Sequence, residues 1–191
     1  NETMAGIVRE RGQPWFWLIS HPDVTLPLSF WNSLEVGVRY MGETDPNYGV
    51  LGVAGCRMIG KHRNVYGHLL DRGRECGAAL AFPTVVNALD EVIVILRGDR
   101  EWAMDDTGLA TYHLWASDLC YKEMSEGRKN YVLPGLYFEH HSNSSWSIPD
   151  DPYFYFNLGV LSERYRKPGT ILSTPSGTVF DANNSVGVQI C

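Results

Sequence analysis

The chain has no membrane-length apolar run: its uninterrupted apolar stretches, Val92 to Leu96 among them, stop at five residues, far below the roughly 18 needed to cross a bilayer. It is also short of basic charge, with 16 Lys and Arg against 22 Asp and Glu, a formal net charge of −6 and a pI near 5.5. A surface that tracks nucleic-acid phosphates needs the opposite balance, so neither nucleic acid nor membrane insertion is expected. Cysteine is sparse, and Cys56, Cys76, Cys120 and Cys191 form no Cys-x-x-Cys pair. That spacing argues against zinc held by thiolates and leaves two disulfides and four buried thiols equally open. No nucleophile elbow, zincin helix, Walker loop or Rossmann fingerprint occurs, so no cofactor, metal or familiar catalytic residue is expected. The opening Asn1-Glu2-Thr3-Met4 lacks the basic and apolar regions of a signal peptide; it fits a trimmed or mature product and leaves export open.

What is abundant is aromatic and punctuating residues. Six Trp, ten Tyr and seven Phe, spread among 19 Gly and 10 Pro, favour strands separated by turns. Extended segments are expected at Pro14 to Ser20, Leu34 to Tyr40, Tyr48 to Ile59, Val65 to Leu70 and Val92 to Leu96. Gly49, Gly52 and Gly55 predict a bend within the third of these, and the β-branched Val92 to Leu96 run reads as a central, doubly covered strand. Leu109 to Tyr121 reads as a strand along Thr111, His113 and Trp115 followed by a short helix over Ala116 to Met124. Further strands are expected at Tyr131 to Glu139, Tyr153 to Leu161, Thr170 to Ser173 and Ser185 to Ile190. About ten strands with at most one or two short helices predict an all-β fold, a two-sheet sandwich or jelly roll. With no internal repeat or shift in composition, residues 1–191 read as a single soluble domain.

Several constellations carry functional expectations. Arg97-Gly98-Asp99 directly follows the central strand and resembles the adhesion tripeptide that many integrins recognise through its two opposite charges. Trp146 stands among Ser and Asn in the polar stretch Glu139 to Pro152, where an exposed indole would anchor a protein or stack on a sugar, although packing back onto a sheet is as natural. Arg57, Lys61, Arg63, Arg72 and Arg74 cluster in sequence as an anion or glycan patch, against the alternative of solvated, mutually paired charges. Sequons begin at Asn1, Asn143 and Asn183 and matter only on a secretory route. Glu139-His140-His141, with His113, Asp150 and Asp151 as partners, offers metal ligands or a general base. Neighbouring residues on a strand diverge, however, so both histidines in one site would need irregular backbone. Cys76 or Cys120 with His113 would imitate a thiol–imidazole pair without any spacing to select it.

The leading expectation is a non-enzymatic recognition domain on a virion surface, capsid projection or secreted adhesin. It would bind a host receptor, glycan or integrin-like protein, through Arg97, Gly98, Asp99 and Trp146. The first alternative is a hydrolase acting on a glycan or peptide at a loop site near Glu139, His140 and Asp150. The second is a shell or homo-oligomer subunit whose aromatic patches are buried between copies.

Overall fold

The computed structural model describes residues 3–6, 16–60, 62–102, 108–109, 113–141, 152–165, 171–175 and 179–181. In chain order these form β1 (Thr3–Gly6), β2 (Phe16–Ser20), β3 (Val24–Thr25), α1 (Leu28–Thr44), β4 (Leu51–Gly52), β5 (Ala54–Ile59), β6 (His62–Asp71) and β7 (Arg74–Ala78). There follow β8 (Thr84–Val86), β9 (Ala88–Leu89), β10 (Ile93–Arg97), α2 (Trp115–Ser125), β11 (Asn130–Val132), β12 (Glu139–His140), α3 (Pro152–Arg164), β13 (Ile171–Ser173) and β14 (Val179–Asp181).

Twelve of these strands make two mixed sheets. The first runs β1-β2-β10-β4-β11-β8, with β4 and β11 parallel and the other pairs antiparallel. The second runs β3-β12-β6-β5-β9, with β7 also paired to β6 and with β12 parallel to β6. β13 and β14 form a separate pair. The chain passes from the first sheet to the second four times, and two of these crossings take a single residue, the first at Val53 between β4 and β5 and the second at Asn87 between β8 and β9. Glycine is needed at the first crossing because β9 lies against it: a Cβ at Gly52 would fall 2.7 Å from Leu89 Cδ2, and one at Gly55 would fall 2.6 Å from the Ala88 carbonyl. The expected bend is there, and its glycines are the reason the strand can turn.

The Val92 to Leu96 segment is deep core as its composition predicts, with Ile93, Val94 and Ile95 fully buried. β10 is flanked by β2 and β4 within its sheet, and both of its faces are covered, Ile93 and Ile95 packing in one core cluster and Val94 and Leu96 in another.

The helices correct the sequence reading. The sheet-rich character stands, but an all-β fold with one or two short helices does not, because three helices of 17, 11 and 13 residues are present. Leu34 to Tyr40 is not a strand; it lies in α1, where Phe30, Leu34, Gly37, Val38 and Met41 face inward at helical spacing while Val36 and Tyr40 are exposed. Tyr153 to Leu161 is α3, with Pro152 opening it and Phe154, Asn157, Leu158 and Leu161 buried. His113 lies in a turn and Trp115 begins α2, so neither is in the strand expected there, while Thr111 lies outside the described residues; the helix expected from Ala116 is present. The expected Tyr131 to Glu139 strand is broken into β11 and β12, with Gly135 between them at φ +72°. Thr170, Lys61, Asn143, Trp146, Asp150, Asp151, Asn183 and Cys191 lie outside the described residues, as does Ser185 to Ile190. No helix among the described residues is long and apolar enough to cross a membrane.

Candidate metal centre

Three segments distant in sequence meet at one edge of the second sheet. β12 lies between β3 and β6, placing His140 opposite Val24 on one side and Asp71 on the other. The His141 amide donates to the Asp23 carbonyl at 2.8 Å, and the His21 amide donates to Val92 at 3.0 Å. These backbone bonds hold the turn containing His21 and Asp23 over the His140 ring.

The side chains at this meeting point form a set of metal-type donors. Single donor atoms of His21, Asp23 and His140 all lie within 4.8 Å of one another. His140 Nε2 is 3.4 Å from Asp23 Oδ1, and His21 Nδ1 is 3.9 Å from the same oxygen. Ligands bound to a tetrahedral ion at the usual N and O distances sit about 3.4 Å apart, so the first separation already fits and the second needs only a small closure. Both His140 Nε2 and Asp23 Oδ1 are buried atoms with no hydrogen-bond partner. Such atoms carry an unrecovered desolvation cost unless something sits between them.

The other face of the His140 ring is fully engaged. Its Nδ1 lies 2.9 Å from Asp71 Oδ1, and the second Asp71 oxygen accepts from Arg72 Nε at 2.7 Å. Asp71 is almost wholly buried. His141 points away, its Nε2 2.8 Å from Thr25 Oγ1 and its Nδ1 3.7 Å from Glu139. The two adjacent histidines therefore diverge, and only His140 joins the cluster. No family model matches this chain, and no curated protein does.

The remaining sequence-derived sites are placed as follows. Arg97 and Asp99 grip each other: Arg97 Nε and Nη2 donate to the two Asp99 oxygens at 2.8 and 2.5 Å, the guanidinium also reaches the Pro46 carbonyl, and it lies 5.0 Å from the Tyr48 ring centre. An adhesion contact through both charges would require this pair to open. The basic cluster is split. Arg57 and Arg63 sit where β5 turns into β6, Arg72 and Arg74 where β6 turns into β7, and the ten residues of β6 separate the two ends by about 30 Å. Arg63 is occupied by the Thr174 and Pro175 carbonyls, and Arg72 by Asp71.

Cys56, Cys76 and Cys120 are free thiols. Burial pushes the Cys56 thiol up to about 11 and holds Cys120 well above its ordinary value. That is the reverse of what a nucleophilic cysteine requires. His113 packs edge-on to Phe154, ring centres 5.9 Å apart.

Sequence reading reached Glu139 and His140 but missed His21, Asp23 and Asp71. No local spacing links the His21–Asp23 turn to Asp71 and His140, which the β12 pairings and the turn's backbone bonds bring together. The available signal was weak: a His-x-Asp in a turn after a strongly apolar strand, His21-Pro22-Asp23.

Proposed function

We propose that the protein is a metal-dependent hydrolase: His21, Asp23 and His140 would hold a divalent cation, and that cation would supply activation of a water for cleavage of a glycan or peptide bond. The observation that carries this reading is the buried pair His140 Nε2 and Asp23 Oδ1, 3.4 Å apart and without hydrogen-bond partners. A cation satisfies both atoms at once. Three protein ligands leave at least one coordination position for water or substrate, the arrangement found in catalytic and not in closed structural sites. The remaining work for this chain's own residues is to hold the ligands: the strand pairs of β12 fix His140, and the Asp23 and His21 backbone bonds fix the turn.

The test is calorimetric titration of chelator-treated protein with Zn²⁺, Co²⁺ and Mn²⁺, with a screen of glycan and peptide substrates before and after metal loading. One equivalent should bind, and His140→Ala and Asp23→Ala should each weaken binding by more than tenfold while leaving the fold intact. Absence of binding, or binding indifferent to both substitutions, overturns the proposal.

A further inference from the structure

We infer that Asp71 is the positioning residue of this centre: it holds His140 as the tautomer protonated on Nδ1, so that Nε2 is the ligand atom presented to a first-row transition cation. The inference rests on the cation reading given above but concerns a residue outside the ligand set.

The Asp71 carboxylate is paired with the Arg72 guanidinium, and among its contacts are two nitrogens, Arg72 Nε and His140 Nδ1. Arg72 donates Nε–H to Oδ2 at 2.7 Å. The contact between Oδ1 and His140 Nδ1, at 2.9 Å, is a hydrogen bond only when Nδ1 carries the hydrogen. A neutral imidazole holding its hydrogen on Nδ1 leaves a lone pair on Nε2, and Nε2 is the atom turned toward Asp23. A carboxylate behind a ligating imidazole also raises its basicity and fixes its plane. Two imidazoles and one carboxylate favour first-row transition cations over Mg²⁺ or Ca²⁺, which prefer all-oxygen shells.

The backbone supports the same assignment. Asp71-Arg72-Gly73-Arg74 is a two-residue hairpin turn with φ +48° at Arg72 and +75° at Gly73, both in the left-handed region that such turns use. Arg72 is not glycine, so its conformation is unfavourable for an L residue. It is held there at both ends, since its amide donates to the His140 carbonyl at 3.0 Å while its side chain caps Asp71. The turn is thereby clamped to the strand that carries the ligand, and Asp71 cannot swing away from the ring.

The experiment measures tautomer and affinity separately. Long-range ¹H–¹⁵N NMR of metal-free protein at about pH 8, where an ordinary imidazole is neutral, should show His140 protonated on Nδ1 in the parent and mixed in Asp71→Asn, which keeps the side chain's shape. Co²⁺ affinity should fall roughly 10- to 100-fold in Asp71→Asn, with a shifted visible d–d spectrum, while the exposed His141→Ala should bind as the parent does. A carboxylate that merely braces the turn would change melting temperature without moving tautomer, spectrum or affinity, and that result overturns the inference. A parent protein that binds no Co²⁺ removes the cation reading, and the metal-free NMR spectrum then decides the Asp71 assignment by itself.

Discussion

Arg164, at the end of α3, places Nη1 2.6 and 2.7 Å from the two oxygens of Asp118 on α2, and Tyr165 donates its hydroxyl to the same carboxylate at 2.8 Å. Asp118 is buried and Arg164 is about one-third exposed, so the pair joins two helices across a partly desolvated contact. Removing one partner of such a pair leaves the other's charge uncompensated. Arg164→Leu should therefore cost about 2–3 kcal/mol in urea unfolding, discounted from the fully buried case because Arg164 retains water. A loss below about 0.5 kcal/mol would show that α3 does not depend on the ion pair.

The phase of α1 is open to direct measurement. Leu34 is fully buried and Val36 is about two-thirds exposed. Leu34→Ala should cost about 2–5 kcal/mol and Val36→Ala within about 0.5 kcal/mol. A strand with the same residues would align both side chains on one face and make the two costs alike.

Glycines in the β6–β7 hairpin should differ sharply. A Cβ at Gly77 would fall 1.8 Å from the Gly67 carbonyl oxygen, whereas one at Gly73 would meet nothing within 4 Å, although both residues have positive φ. Gly73→Ala should cost about 1 kcal/mol from backbone conformation alone, and Gly77→Ala about 3 kcal/mol or more. Equal losses in thermal melts would contradict the close strand approach.

Cys56 supplies a pH dependence. Its thiol is raised to about 11 by burial, from an ordinary value near 9.0, so the unfolded chain releases this proton at lower pH than the folded one. Stability from this group is complete below about pH 9 and is lost as pH rises through about 11, by about 3 kcal/mol in total. Cys56→Ser should flatten that alkaline limb, and Cys56 in the native protein should resist alkylation at neutral pH.

Much of the sheet framework was legible because its signals are local. Val92 to Leu96 is β-branched throughout, and the glycines around Val53 mark a bend that the second sheet demands. α1 and α3 were illegible for the converse reason. Val36, Val38 and Tyr40, and likewise Tyr153 to Phe156, are residues with high strand propensity, and in α1 they alternate by chance with polar neighbours. The helical spacing of Phe30, Leu34, Val38 and Met41 lies in the same stretch, and tertiary burial chose it. Pro152 following Asp150 and Asp151 was a helix-start signal that the aromatic run outweighed. Of the candidate centre only His140 was legible, within the conspicuous Glu139-His140-His141, because Asp71 reaches it through the β12–β6 pairing and His21 and Asp23 through the turn that leads into β3.

The turn at His21 to Asp23 has a mechanical consequence. His21 hangs from the first sheet through its bond to Val92, while the Asp23 carbonyl is tied to His141 beside the second. A cation gripped by His21, Asp23 and His140 would act as a rivet between the two sheet edges. Loading would then stiffen the seam itself, slowing amide exchange along β2 and β12 together, and the melting temperature would climb with free cation concentration as ligand linkage requires.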